Sequence, residues 1–399
     1  MQGLSISISN DLTGRSSGSG IAVSLLLDTY TGAGFAYSFR QIRSAYSGNN
    51  IRARESSGST EQNIGFTAGV LDSSSLLTFT GANDGLVPIE YDQSTNGNNL
   101  TQTTAANQLK IVDAGSLITS NSLAATQGSS STGGETSSIV FSGMTDIWLF
   151  AVVDIINTST TQVLYESSTN FNQNAGAFGM FIQSGRLEIA NRYSGGAAML
   201  KRYNISTGRQ VISIRLRAGV DVNTFSELYI NGVTASTHST AGSGTSVFSD
   251  QVLYLNARAG TSIGFTGKRQ ASIFYPSDQS SNRVGIETNM MDYYGFLFLD
   301  RITDAQAAFS LRKLRAAYSG SAIRVRRSSD NAEQDIGFTS GDLDTTSLAT
   351  FVGANSGYVT TWYDQSGNGY DASNASASVQ PKIVDAGSLI TSGGKAAIE

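Results

Sequence analysis

Carboxylates and aromatic rings that recur together are the first place to look for chemistry in this chain. Glu90-Tyr91-Asp92-Gln93-Ser94-Thr95-Asn96-Gly97 returns as Trp362-Tyr363-Asp364-Gln365-Ser366-Gly367-Asn368-Gly369. Tyr91, Asp92 and Gln93 thus match Tyr363, Asp364 and Gln365, while Glu90 is exchanged for Trp362. A carboxylate beside aromatic rings suits acid–base work on a glycoside. Asp364, Asn368 and Asp371 also offer oxygens to a calcium ion, but too few for a cage. The turn itself gives a simpler role. Asp and Asn bond their own backbone in such loops, and Gly supplies positive φ. We therefore read both motifs as structural clasps, with no catalytic residue and no metal.

Other chemistry is bounded by what the chain lacks. There is no cysteine, which excludes disulfides and thiolate metal sites. The one histidine, His238, lies in a Ser/Thr-rich stretch and cannot by itself build a multi-histidine metal site or a triad. No cofactor is expected. If a sugar is bound, aromatic faces would hold it, and Tyr193, Tyr203 and Trp362 are the candidates. Trp148, inside the apolar run Ile147 to Val153, reads as core.

The surface that must carry these residues is polar but weakly charged. Only 14% of the 399 residues are charged, the net charge is −5, and Gly, Ser, Thr and Asn fill the gap. The apolar share of 39% is too high for a disordered chain. The densest basic cluster, Arg324 to Arg327, reads as a strand edge, so no nucleic-acid partner is expected. No stretch is long and apolar enough to span a membrane, and residues 1–10 show no secretory leader.

The clasps belong to a duplicated unit. Leu27 to Ser120 aligns without a gap on Leu299 to Ser392, and more than half of the aligned residues are identical. Within each copy the spacing of Phe39, Ile42 and Tyr46 predicts a helix over 36–46, repeated from Phe309 to Tyr318. A short strand follows at Ile51 to Arg54 or Ile323 to Arg326. A second helix is expected over Ser73 to Phe79, and Val359 to Tyr363 reads as the strand entering the second clasp.

Between the copies the pattern changes to short strands divided by turns: 147–153, 162–165, 179–182, 187–190, 210–216, 251–255 and 270–274. Leu228 to Thr234 is a hairpin with an Asn-Gly turn. Ser281 is expected to cap a closing helix through Tyr294. Such a series means a sandwich. The expected divisions are an arm at 1–25, the first clasp unit at 26–122, the sandwich with its closing helix at 123–295, and an incomplete second unit at 296–399. In the arm, Leu4 to Ile8 alternates as a strand, and Ile21 to Leu27 reads as a buried one.

The string AFSLRKLRAAYSGSAIRVRRSSDNAEQDIGF, then TTWYDQSGNGYDA, resembles the catalytic domain of α-L-arabinofuranosidase B. The likeness continues through Tyr275-Pro276-Ser277-Asp278. It covers 27–295 as one full domain and 299–399 as the start of another. It implies a mainly β fold: a curved, concanavalin-like (laminin-G-like) jelly-roll sandwich with a few short helices, the clasp packed on it as a belt. The family carries its acid/base on a Gly-Gly-Asp segment, which falls here on Leu255 to Gly260, and no Asp or Glu occurs between Asp250 and Asp278. Its nucleophile region falls on Gln183 to Glu188, with only Glu188 nearby and out of register. Its adjacent cysteine pair is absent.

On these departures the expected role is non-enzymatic: a structural or adhesive virion protein such as a phage head fibre, capsid decoration or tail appendage, whose sandwich binds host or environmental glycans. A symmetric homo-oligomer, such as a trimer, is expected, with residues 1–25 docking other virion proteins on the particle surface. One alternative is a secreted, extracellular bacterial adhesin that binds carbohydrate. The other is a glycoside hydrolase of arabinofuranosidase type.

Overall fold

The structure is a computed structural model that describes residues 25–136, 139–194, 197–301 and 304–399. The expected arm, including the strand at Leu4 to Ile8, lies outside the described residues apart from Leu25. Of the strand expected at Ile21 to Leu27, only the end is described. There Leu26–Thr29 form a single helical turn. The chain divides into two compact units, Met1–Tyr294 and Gly295–Glu399.

The first unit is a two-sheet antiparallel sandwich of the jelly-roll kind with short helices. In one sheet Lys268–Tyr275 lies between Phe35–Ser38 and Asp146–Ile155, and Gly208–Arg217 and Ser226–Ile230 follow. The other sheet runs Leu253–Leu255, Gln162–Ser167, Phe178–Gln183, Arg186–Ser194, Ala197–Asn204 and Thr237–Ala241. The apolar run at 147–153 is explained by burial on both faces. Ile147, Leu149, Ala151 and Val153 enter the core between the sheets, while Trp148 and Phe150 stack on the opposite face with ring centroids 5.7 Å apart. Each such side chain contributes roughly 1.5–3 kcal/mol by leaving water. The hairpin turns at Asn231 (φ 51°) and Gly232 (φ 83°), the left-handed pair that an Asn-Gly turn supplies.

A smaller sheet carries the first clasp: Glu61–Ile64, Ile51–Glu55, Gly85–Glu90 and Leu109–Asp113. The second unit repeats it with Glu333–Ile336, Ile323–Arg327, Gly357–Trp362 and Lys382–Asp385. Its core is its own, built from Ile323, Val325, Leu348, Val359 and Ile383 among others. The short helices at Ser73–Thr80 and Thr345–Val352 are capped by Asp72 and Asp344, whose side chains accept from Ser75 and Ser347 amides.

The helix predicted at 36–46 does not form, and neither does its counterpart at 309–318. Phe35–Ser38 joins the sandwich as a strand instead. The backbone beyond it is satisfied by a side chain. Gln93 Oε1 accepts from the Ile42 amide at 2.9 Å, and Gln93 Nε2 donates to the Ser38 and Arg40 carbonyls at 2.8 and 3.0 Å. These bonds replace those a helix would have made. The closing helix spans Arg283–Tyr293, and its N-cap is Asn282 without a side-chain bond, not Ser281.

The docking of Phe35–Ser38 demands a glycine just before it. A Cβ on Gly34 would stand 2.7 Å from the Phe274 ring, which is fully packed. Gly34→Ala is expected to cost about 1–3 kcal/mol through overpacking. A urea melt read on the first unit checks this. Unchanged stability would mean that the strand does not press on Phe274.

Candidate functional site

The clasp is built from one carboxylate saturated with donors. Asp92 Oδ1 accepts from the Ala36 and Ser94 amides at 2.9 and 2.8 Å, and Oδ2 accepts from the Ser94 hydroxyl and the Asn98 amide at 2.7 and 3.1 Å. Asp364 repeats the set with Ala308, Ser366 and Tyr370 at 2.6–3.1 Å. Tyr91 donates to Asn63 Oδ1 at 2.8 Å, and Tyr363 to Asp335 Oδ1 at 2.7 Å. Burial raises the Asp364 carboxyl, but the bonds from Ser366, Ala308 and Tyr370 outweigh it and hold the group at about 2. An acid so fixed donates no proton near neutral pH. Among the described residues no group of three or more Asp, Glu or His side chains is placed to hold a metal.

Directly before the first clasp, Glu90 is buried against Arg269 on the sandwich. Arg269 Nη1 donates to Glu90 Oε2 at 3.0 Å, Nη2 donates to Oε1, and Nε donates to Asn256 Oδ1 at 2.8 Å. Burial works against the Arg269 charge, and Glu90 overcomes it, so the guanidinium pKa is raised. This bidentate pair ties the clasp sheet to the sandwich.

The aromatic candidates do not form a sugar platform. Tyr203 lies in the core, and its hydroxyl donates to the Ser226 carbonyl at 2.8 Å, so it presents no face to a glycan. Tyr193 is half-buried and packs against the same core. Trp362 belongs to the second unit, where it tilts against Phe309.

The sandwich does bring together two buried carboxylates on the face of its second sheet turned away from the core between the sheets. Glu166 lies opposite Gly179, which lies opposite Ala190, two residues from Glu188. Glu188 in turn lies opposite Phe181. Arg258 Nε donates to both Glu166 oxygens at 3.0 Å, and its guanidinium sits over the Phe181 ring at 5.9 Å, which places Glu166, Phe181 and Glu188 on one face. The Phe171 amide donates to Glu166 Oε1 at 2.7 Å. Burial raises the Glu166 pKa, and the Phe171 and Arg258 bonds offset this only in part. Arg202 Nε and Glu188 Oε2 are 2.6 Å apart, an ion pair without hydrogen-bond alignment.

Of this face the sequence singled out only Glu188 and the segment containing Arg258. Glu166, Phe181 and Arg202 carried no local signal, because their partners come from other strands or a distant loop. Another buried acid, Glu287, pairs with Arg283 on the closing helix. A groove of about 460 Å³ also lies elsewhere. Arg54, Gln108, Lys110, Asp113, Gln127 and Thr132 line it. Its one acid, Asp113, is tied to Lys110 at 2.9 Å. A groove with a single, ion-paired acid is a poorer candidate than a face with two acids.

The first unit is thus a β-sandwich that carries two buried acids, Glu166 and Glu188, on one face of one sheet. A family model described as α-L-arabinofuranosidase B, catalytic, matches residues 297–394. Among solved structures, the fold is similar to a mutant of a GH54 α-L-arabinofuranosidase soaked with 4-nitrophenyl α-L-arabinofuranoside. That match has 16% identity and a TM-score of 0.50, covering 85% of this chain and 80% of that one. A second GH54 α-L-arabinofuranosidase, soaked with a cyclic sulfate inhibitor, has 17% identity and a TM-score of 0.47, covering 85% and 79%. The CBM40 of a Ruminococcus gnavus IT-sialidase has 14% identity and a TM-score of 0.30, covering 41% and 96%. No curated protein matches the sequence. The resemblance to the arabinofuranosidase fold therefore stands. The expectation of a non-enzymatic virion protein does not, because the family model and the structures of similar fold are those of a glycoside hydrolase.

Proposed function

We propose that the chain is a glycoside hydrolase of arabinofuranosidase type that works through Glu166 and Glu188. The observation that carries this reading is the placement of both acids on one sheet face with Phe181 between them. Glu166, whose pKa burial raises, is the general acid that protonates the leaving oxygen. Glu188, held by Arg202, is the base or charge-stabilising partner. Two strand spacings and a two-residue offset put their backbones roughly 12 Å apart. The Arg258 side chain covers Glu166, which is fully buried, and is itself 21% exposed. Its displacement by the sugar frees the acid.

The test is hydrolysis of 4-nitrophenyl α-L-arabinofuranoside by the full chain and by Glu166→Gln and Glu188→Gln. Each substitution is expected to lower kcat about a hundredfold, the effect of losing one general acid or base. The alkaline limb of the pH–rate profile should lie above the ordinary carboxyl range and vanish in Glu166→Gln, because only the protonated acid works and burial raises its pKa. Absence of turnover by the unmodified chain, or turnover untouched by both substitutions, refutes the assignment.

A further inference from the structure

The groove that lacks paired acids is floored by one row of side chains. Arg54 lies opposite Leu86, Leu86 opposite Lys110, and Lys110 opposite Gln127. Residues paired in this way share one face of a sheet. The strand Ile51–Glu55 shows why Arg54 is on that face, since Ile51, Ala53 and Glu55 alternate with it and are buried on the other. Ala105 and Ala106 border the Arg54 end, and Gly128, Ser129 and Thr132 follow Gln127. The space between measures about 460 Å³, the size of a small-molecule site.

The row holds two cations, and one of them is neutralised. Lys110 Nζ stands 2.8 Å from Asp84 and 2.9 Å from Asp113. Arg54 has no carboxylate partner among the described residues. Its Nε donates to Gln108 Oε1 at 2.8 Å, and its Nη groups reach the Ser59 hydroxyl at 3.4 Å and the Ala105 carbonyl at 3.5 Å, both long contacts. The Gln127 side chain, at the other end, makes no hydrogen bond among the described residues.

The second unit repeats the row with its guanidinium engaged. Arg326, Tyr358 and Lys382 take the places of Arg54, Leu86 and Lys110. Arg326 keeps the bond to its own glutamine, Gln380, at 2.8 Å. Its Nη1 donates to Asn331 Oδ1 at 2.7 Å, where the first unit has Ser59. Its guanidinium also lies 5.0 Å over the Tyr358 ring, where the first unit has Leu86. Each of these internal partners is exchanged in the first unit for a residue that leaves the guanidinium open to a ligand.

We propose that this groove binds a sugar acid, with its carboxylate on the Nη groups of Arg54, its ring carbons on Leu86, Ala105 and Ala106, and its hydroxyls toward Gln127. A planar guanidinium with both Nη groups weakly held matches a carboxylate in bidentate fashion. One uncompensated cation suits one negative charge, and a dianion such as phosphate brings a second for which the groove has no partner. An alkyl chain in place of the sugar would leave the Gln127 amide without an acceptor or donor. The inference is independent of the hydrolase reading, since no bond is made or broken in the groove.

Isothermal titration of the full chain with D-glucuronate, D-glucose and inorganic phosphate tests it. Glucuronate should bind at least about tenfold more tightly than glucose or phosphate, the contribution of a charge-assisted pair. Arg54→Gln should erase that preference. Leu86→Tyr with Ser59→Asn rebuilds the contacts of the second unit and should weaken glucuronate binding about tenfold while the guanidinium stays in place. Unchanged urea midpoints in both variants separate these losses from misfolding. No binding of glucuronate, binding of glucose or phosphate as tight as that of glucuronate, or a preference untouched by Arg54→Gln overturns the site.

Discussion

Glu90→Ala should remove about 3–5 kcal/mol from the first unit, most of the stability such a domain has. The reason lies in what stays behind. Arg269 is 3% exposed, and among the described residues its guanidinium donates, beyond Glu90, to Asn256 alone. Without the carboxylate, a buried guanidinium keeps its charge and loses two charge-assisted bonds. The loss should be much smaller when both partners go. Glu90→Leu with Arg269→Met replaces the pair by packed apolar groups, and such exchanges are often nearly neutral. Urea melts followed through Trp148, in the first unit, would measure both. The second tryptophan, Trp362, lies in the other unit. If Glu90→Ala shifts the midpoint no more than the double change does, the pair is not what joins clasp and sandwich.

That pair also marks how far the sequence could be read. Strands such as 146–155 and 268–275 were legible because each carries an apolar stripe, and the Asn231-Gly232 turn because its two φ values admit few other residues. Ala197–Asn204 and Thr237–Ala241 were not, since the first is mostly half-buried with only Met199 and Tyr203 in the core, and the second is polar and largely exposed. The helix expected at 36–46 failed for a different reason. Phe39, Ile42 and Tyr46 have helical spacing, but the backbone there is bonded by Gln93, half a hundred residues away. No local pattern encodes a partner at that distance. Glu166 was illegible on the same ground. Its burial depends on Arg258 and Phe171, and only the assembled sheet sets it near Glu188. The turn of the clasp, by contrast, has a local pattern, because three of the four donors to each carboxylate sit within six residues of Asp92 or Asp364; only the Ala36 and Ala308 amides come from afar.

Asp364→Ala is the sharpest probe of that clasp, with an expected loss of about 4 kcal/mol in the second unit. One carboxylate there accepts from three amides and a hydroxyl. Bonds to a charged acceptor contribute roughly 1.5–3 kcal/mol each and are not additive when shared. Two of the donors, the Ser366 amide and hydroxyl, lie on a residue 4% exposed and would have little water to replace the loss. The pH dependence follows from the sign of the shift. The folded carboxyl is held at about 2, below its value in an unfolded chain, roughly 3.9. Its stabilisation is therefore complete above pH 4 and is lost as pH falls through 2. The unfolding free energy of the unmodified second unit, followed through Trp362, should decline across that window. In Asp364→Ala the decline should be shallower, because the group that titrates is gone. Equal slopes in the two proteins would show that Asp364 is not the carboxylate holding the turn.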